Sequence, residues 1–159
     1  MSFTHLHLLL NHFPVIGAVL GIALLGFAVL RKSDELGKTS LWLFVALGAI
    51  SVAVYFTGEP AEEAIEKLPG FSEAITERHE EFAQLATIVF ASFSVIALGA
   101  LAFFRKKPLP RWLMLGGFAL SLAAGGMMGY TALLGGQVRH TEIRSGAING
   151  ATGSQENPD

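Results

Sequence analysis

Residues 6–30 read LHLLLNHFPVIGAVLGIALLGFAVL, and no Asp, Glu, Lys or Arg interrupts them. About 20 mainly apolar residues suffice to cross a bilayer as a helix. Three further stretches, 39–58, 82–104 and 112–138, are equally free of formal charge. Together the four cover more than half of the 159 residues, and a soluble fold of this size has no use for them. Only 15% of the residues are charged and the mean hydropathy is +0.51, whereas an ordinary soluble domain carries about 25% charged residues. The composition excludes a cytosolic enzyme, a disordered chain and a nucleic-acid binder. The expected fold is all-α: an integral membrane four-helix up-down bundle over 1–142, followed by a flexible polar tail over 143–159.

The first stretch has no basic residue before it, and Arg31 and Lys32 follow it, so it is expected to be a retained span rather than a signal peptide. Basic residues in the short loops set the orientation. Arg31, Lys32, Lys38, Arg105, Lys106, Lys107 and Arg111 fall on one side with two acids, for a net +5. The other side carries four basic and eleven acidic residues, a net −7. The expectation is a multi-pass protein of the bacterial inner (cytoplasmic) membrane with both termini periplasmic. Trp42 and Trp112 stand at the expected cytoplasmic ends as interfacial anchors.

Spacing suggests how the spans pack and join. Gly17 and Gly21 on span one, and Gly125 and Gly129 on span four, are four apart, which lets helix backbones approach closely. The links 31–38 and 105–111 are short, favouring antiparallel neighbours. In the longer outer loop, Pro60 can open a short helix through Leu68, Pro69-Gly70 can end it, and Ser72 is the expected N-cap of the third span. Pro14 allows two readings. It marks a first turn capped by Asn11 or His12, or it sits inside a helix begun near Thr4 and leaves the Leu10 carbonyl without its usual partner.

All five histidines, His5, His7, His12, His79 and His140, fall on the acidic side. No ionisable residue lies deep in a span, which argues against a pump or ion-coupled transporter. The chain has no cysteine, so thiol chemistry, iron–sulfur clusters and covalently attached heme are excluded. His79 shares a stripe with Ile75, Phe82 and Ala86, and His12 lies deepest on span one, so both are expected to reach the bundle interior. Span four offers Gly125, Gly129, Leu133, Gly136 and His140 along one stripe. Gly136, one turn before His140, would leave a flat cavity suited to a planar macrocycle. A heme held by two histidines from different helices fits this pattern. Arg78 and Arg139, each directly before a histidine, suit the two propionates.

His12 and His79 are therefore the first candidates as axial ligands, then His7 and His140, with His5 in reserve. The pairing His12–His140 with His7–His79 is compatible with the same spacings. Each feature also has a plainer reading. Histidines and arginines at a membrane interface cap helices or anchor to headgroups, and glycine stripes commonly serve helix packing. The acidic run from Glu59 to Glu81 is an ordinary solvated loop, or a dock for a basic periplasmic carrier.

The stretch His7-Leu8-Leu9-Leu10-Asn11-His12-Phe13-Pro14 resembles the opening signature of a bacterial four-span membrane-protein family catalogued as a domain of unknown function. That signature is a His-Pro pair followed by His-Phe-Pro; Leu8 replaces the first proline. Gly135-Gly136-Gln137-Val138-Arg139-His140 is similar to the family's Gly-Gly…His ending, two residues shorter. The likeness covers about 1–142. It implies a four-span bundle with histidines gathered at one face and a b-type heme role.

The functional expectation is a b-type cytochrome-like electron-transfer module with one or two heme b groups near the periplasmic face and no bond-making chemistry of its own. Its expected partners are membrane lipid, a quinone or quinol, a periplasmic electron carrier and other membrane subunits. Two alternatives stay open: a metal-binding membrane protein using these histidines with Glu80 or Glu81, and a structural subunit of a membrane complex.

Overall fold

The computed structural model describes residues 3–144. Helix α1 (Phe3–Leu10) runs into α2 (His12–Arg31), and the two form the first candidate span. Asn11, between them, keeps helical angles, and its N–H bonds to the His7 carbonyl at 2.9 Å. The helix therefore starts before Pro14, as in the second reading of that residue. Helices α3 (Asp34–Phe56), α5 (Glu73–Phe103) and α6 (Arg111–Arg139) complete four helices long and apolar enough to cross a membrane. The short α4 (Gly58–Glu63) lies in the 57–72 connection, and a 3-10 turn (Thr141–Ile143) follows α6.

Local chemistry explains the boundaries. Lys32 adopts a left-handed φ of 54°, and its N–H bonds back to α2 carbonyls, closing that helix. The Ser33 hydroxyl accepts the Leu36 N–H at 3.3 Å, and Asp34 and Glu35 fill the first turn of α3, where the helix dipole favours acids. Ser72 does stand before α5, but its side chain makes no cap; the Thr76 hydroxyl bonds to the Ser72 carbonyl instead. Helix α4 ends at Glu63 rather than Leu68. Gly70 turns the chain toward α5 with a φ of +83°, a conformation that a Cβ would strain.

The four long helices pack as a ring in which each touches its sequence neighbours and α6 closes back on α2. Phe44 fills the centre, edge-on to Phe93 with centroids 5.0 Å apart, and it takes the space left by Gly21. Gly17 likewise receives Leu47. The close approach expected of Gly17 and Gly21 is thus made between α2 and α3. Gly125 meets Ile22, but Gly129 faces open space and Leu133 is 53% exposed. The expected Gly125–His140 stripe is therefore not the inner face of α6; Ser121, Ala124, Met128 and Leu134 are. Among the described residues the fully buried polar ones are Ser and Thr, and each hydroxyl is bonded to a backbone carbonyl. Ser94 reaches across to Phe44 O at 2.8 Å, and Ser40 to Gly21 O at 2.8 Å.

The basic end is clasped by one carboxylate. Asp34 accepts the Leu109 N–H at 2.6 Å and pairs with Lys38 at 2.8 Å, while Lys38 also reaches Lys107 O. At the opposite end, Ile143 packs on Gly136, and Arg144 bonds to Gln137, Val138 and Gly70 carbonyls. Ile143 and Arg144 are thus engaged with the bundle, and the rest of the expected tail, 145–159, lies outside the described residues.

Candidate histidine site at the acidic end of the bundle

The helices bring two of the five histidines into the bundle. His7, on α1, is half-buried, and its Nδ1 lies 3.1 Å from Val54 O and 3.3 Å from Thr57 Oγ1 at the end of α3. His79, on α5, is half-buried against α6, with Nδ1 3.1 Å from Thr131 O. A carbonyl can only accept, so each Nδ1 carries the proton and each Nε2 keeps its lone pair. Neither Nε2 makes a hydrogen bond among the described residues. The two rings come from helices diagonally placed in the ring. Glycines stand beside both. A Cβ on Gly135 would lie 3.0 Å from His79 Cε1, and one on Gly58 would lie 3.7 Å from His7 Cε1.

The other candidates fall elsewhere. His12 is exposed on the outer surface of α2 rather than in the interior. The cause is angular: five residues place it roughly 140° round the helix from His7, and the packing of α1 turns His7 inward. His140 is also exposed, just past α6, with Nδ1 2.9 Å from Glu142 Oε1. The backbone N–H of Glu142 and then His140 hold the Glu142 carboxyl below its ordinary range. Gly136 contacts Ile143 and no histidine, so it leaves no cavity beside His140; the space beside its neighbour Gly135 is taken by the His79 ring itself. His5 is exposed one turn before His7's neighbour Leu9. Arg139 is exposed, whereas Arg78 donates to the Tyr130 hydroxyl at 2.8 Å, and Tyr130 packs edge-on to Phe82.

Three participants carried no signal in the sequence that would single them out. The Val54 and Thr131 carbonyls are backbone atoms, and Thr57 looks like one more small polar residue at a helix end. Apart from these, Glu62 sits in the acidic run. Its hydrogen bond with Glu80, then burial, then the charges of Glu80, Glu66 and Glu59 push its carboxyl up to about 7. Asn11 Oδ1, one turn from His7, is buried without a hydrogen-bond partner among the described residues.

The donor set decides what the site can hold. Among the described residues no three His, Asp or Glu side chains converge as a bare metal ion would require. Two imidazoles with fixed Nδ1–H groups and free Nε2 lone pairs are enough for a porphyrin-bound iron, because the macrocycle supplies the four equatorial nitrogens. A ligating histidine characteristically gives its other N–H to a carbonyl or carboxylate. Two such imidazoles are the donor types that a bis-imidazole heme uses. No protein-family model, curated protein or solved structure matches the chain.

Proposed function

We propose that the chain is a b-type cytochrome-like electron-transfer module, with His7 and His79 as the axial ligands of one heme b. The observation that carries this reading is the matched pair of Nδ1 contacts, 3.1 Å to Val54 O and 3.1 Å to Thr131 O. When bound, such a group supplies reversible one-electron chemistry at a potential tuned by its axial ligands and surroundings. The chain's own residues do the rest. Val54, Thr57 and Thr131 hold the ring tautomers and orientations, which raises the basicity of Nε2. Gly58 and Gly135 keep the space beside the rings free of side chains. Arg78, held by Tyr130 at the rim, would meet a propionate through its guanidinium fork. Arg139 and His140 stand in the same outer layer.

In this reading the acidic, histidine-bearing end faces the periplasm of a bacterial inner membrane. The module passes single electrons between a quinol or membrane subunit and a periplasmic carrier. The proposal assigns the chain electron transfer and no bond-making step. The absorbance spectrum of protein purified from heme-replete cells tests it. A Soret band with reducible α-bands is expected. Bound metal without a Soret band would mark a metal-binding protein, and neither would mark a structural subunit.

A further inference from the structure

The opposite end of the bundle carries a feature that the histidine site leaves unused. Between α3 and α5 lies an open groove of about 300 Å³ lined by Lys38, Trp42, Leu98, Leu101, Ala102 and Arg105. Its floor is hydrocarbon, its rim holds two cations, and Trp42, 55% exposed, forms one wall. An indole in that position is at home at the headgroup level of a bilayer. The charge around the groove is one-sided. Seven basic residues and two acids lie at this end of the chain. One of those acids, Asp34, is engaged by Lys38 and the Leu109 N–H, and Arg105 has no ion pair among the described residues.

We infer that this groove is a binding site for an anionic phospholipid, with an acyl chain along Trp42, Leu98, Leu101 and Ala102 and the headgroup phosphate on Arg105. Lys38 has one ammonium hydrogen left after Asp34 Oδ2 and Lys107 O, and it offers the second contact. A planar guanidinium suits a phosphate through two parallel hydrogen bonds. Basic pockets between membrane helices bind anionic lipid headgroups by this combination. The inference is independent of the heme reading and of which side of the membrane this end faces.

The test uses the full chain in a non-ionic detergent, with the thermal unfolding midpoint followed as lipid is added. Dioleoylphosphatidylglycerol should reach half its effect at a concentration about fivefold or more below that of dioleoylphosphatidylcholine, which has the same chains and no net charge. R105Q should weaken the phosphatidylglycerol effect about fivefold, R105K should retain most of it, and K67Q, at the other end, should leave it unchanged. Raising salt should close the gap between the two lipids. Glycerol 1-phosphate, which lacks acyl chains, should not compete. Equal half-saturation by the two lipids overturns the inference in the wild type alone. So does an R105Q protein with wild-type response to phosphatidylglycerol, and so does full competition by glycerol 1-phosphate, which would make this a free-phosphate site.

Discussion

The Nδ1 atom of His79 lies 3.1 Å from the carbonyl oxygen of Thr131, one helix away. That contact orients the ring and decides which nitrogen is left to bind anything else. His7 repeats the relationship with Val54, so two imidazoles from diagonal helices are prepared in the same way. His12 faces outward and His140 is tied to Glu142, two residues on.

Packing at the bundle centre gives the first prediction. A Cβ at Gly48 would collide with the side chain of Ser94, whose hydroxyl is fixed by Phe44 O and Phe90 O. Gly48→Ala should destabilise the bundle by about 1–3 kcal/mol, the usual cost of overpacking. Gly99→Ala, where the added methyl meets open space, should be nearly neutral. Thermal unfolding of both variants in one detergent checks the contrast. Equal midpoints would show that α3 and α5 are not pressed together at this level.

Glu62 and Glu80 give a pH dependence whose sign can be worked out. The folded state holds the Glu62 carboxyl at about 7, above its ordinary value of 4.5, through the Glu80 hydrogen bond, burial, and the charges of Glu80, Glu66 and Glu59. A carboxyl raised in this way binds its proton more tightly folded than unfolded. Its contribution is therefore complete below the unfolded value and is lost as pH rises through the folded one. The unfolding midpoint should fall between about pH 5 and pH 8. Glu62→Gln, which stays neutral, should flatten that fall. An unchanged slope in the variant would place the titration elsewhere.

Orientation gives the third prediction. The +5 and −7 ends imply that the 105–111 link is cytoplasmic and the 57–72 connection periplasmic. The chain has no cysteine, so single cysteines are unambiguous reporters. Lys67→Cys should react with a membrane-impermeant maleimide in intact spheroplasts, and Lys106→Cys only after lysis. The reverse pattern would invert the topology.

The span positions were legible because the uncharged stretches 6–30, 39–58, 82–104 and 112–138 coincide with the long helices. The half-buried position of His79 is legible too. This residue continues a stripe through Ala86, Phe90, Phe93, Ala97 and Leu101, all buried in the bundle. His12 was misplaced for a physical reason. In a membrane the lipid-facing side of a helix is as apolar as the packed side, so α2 has almost no amphipathic contrast to show which way it faces. Phe13, Ile16 and Leu20 look like core residues and are exposed, while the inner face is marked by Pro14, Gly17, Ala18 and Gly21. Small residues, not large ones, identified that interface. The same rule would have warned that Leu133 faces outward and that Gly135 receives a ring.

Heme content across four single variants decides whether His7 and His79 hold the group. Wild type, His7→Ala, His79→Ala, His12→Ala and His140→Ala are purified from heme-replete cells and compared by pyridine hemochrome assay and reduced-minus-oxidised spectrum. A low-spin, six-coordinate spectrum is expected in the wild type, kept in the His12 and His140 variants and lost in each of the other two. A wild-type protein that is folded but heme-free, or a spectrum that survives His7→Ala and disappears with His12→Ala, would contradict this assignment.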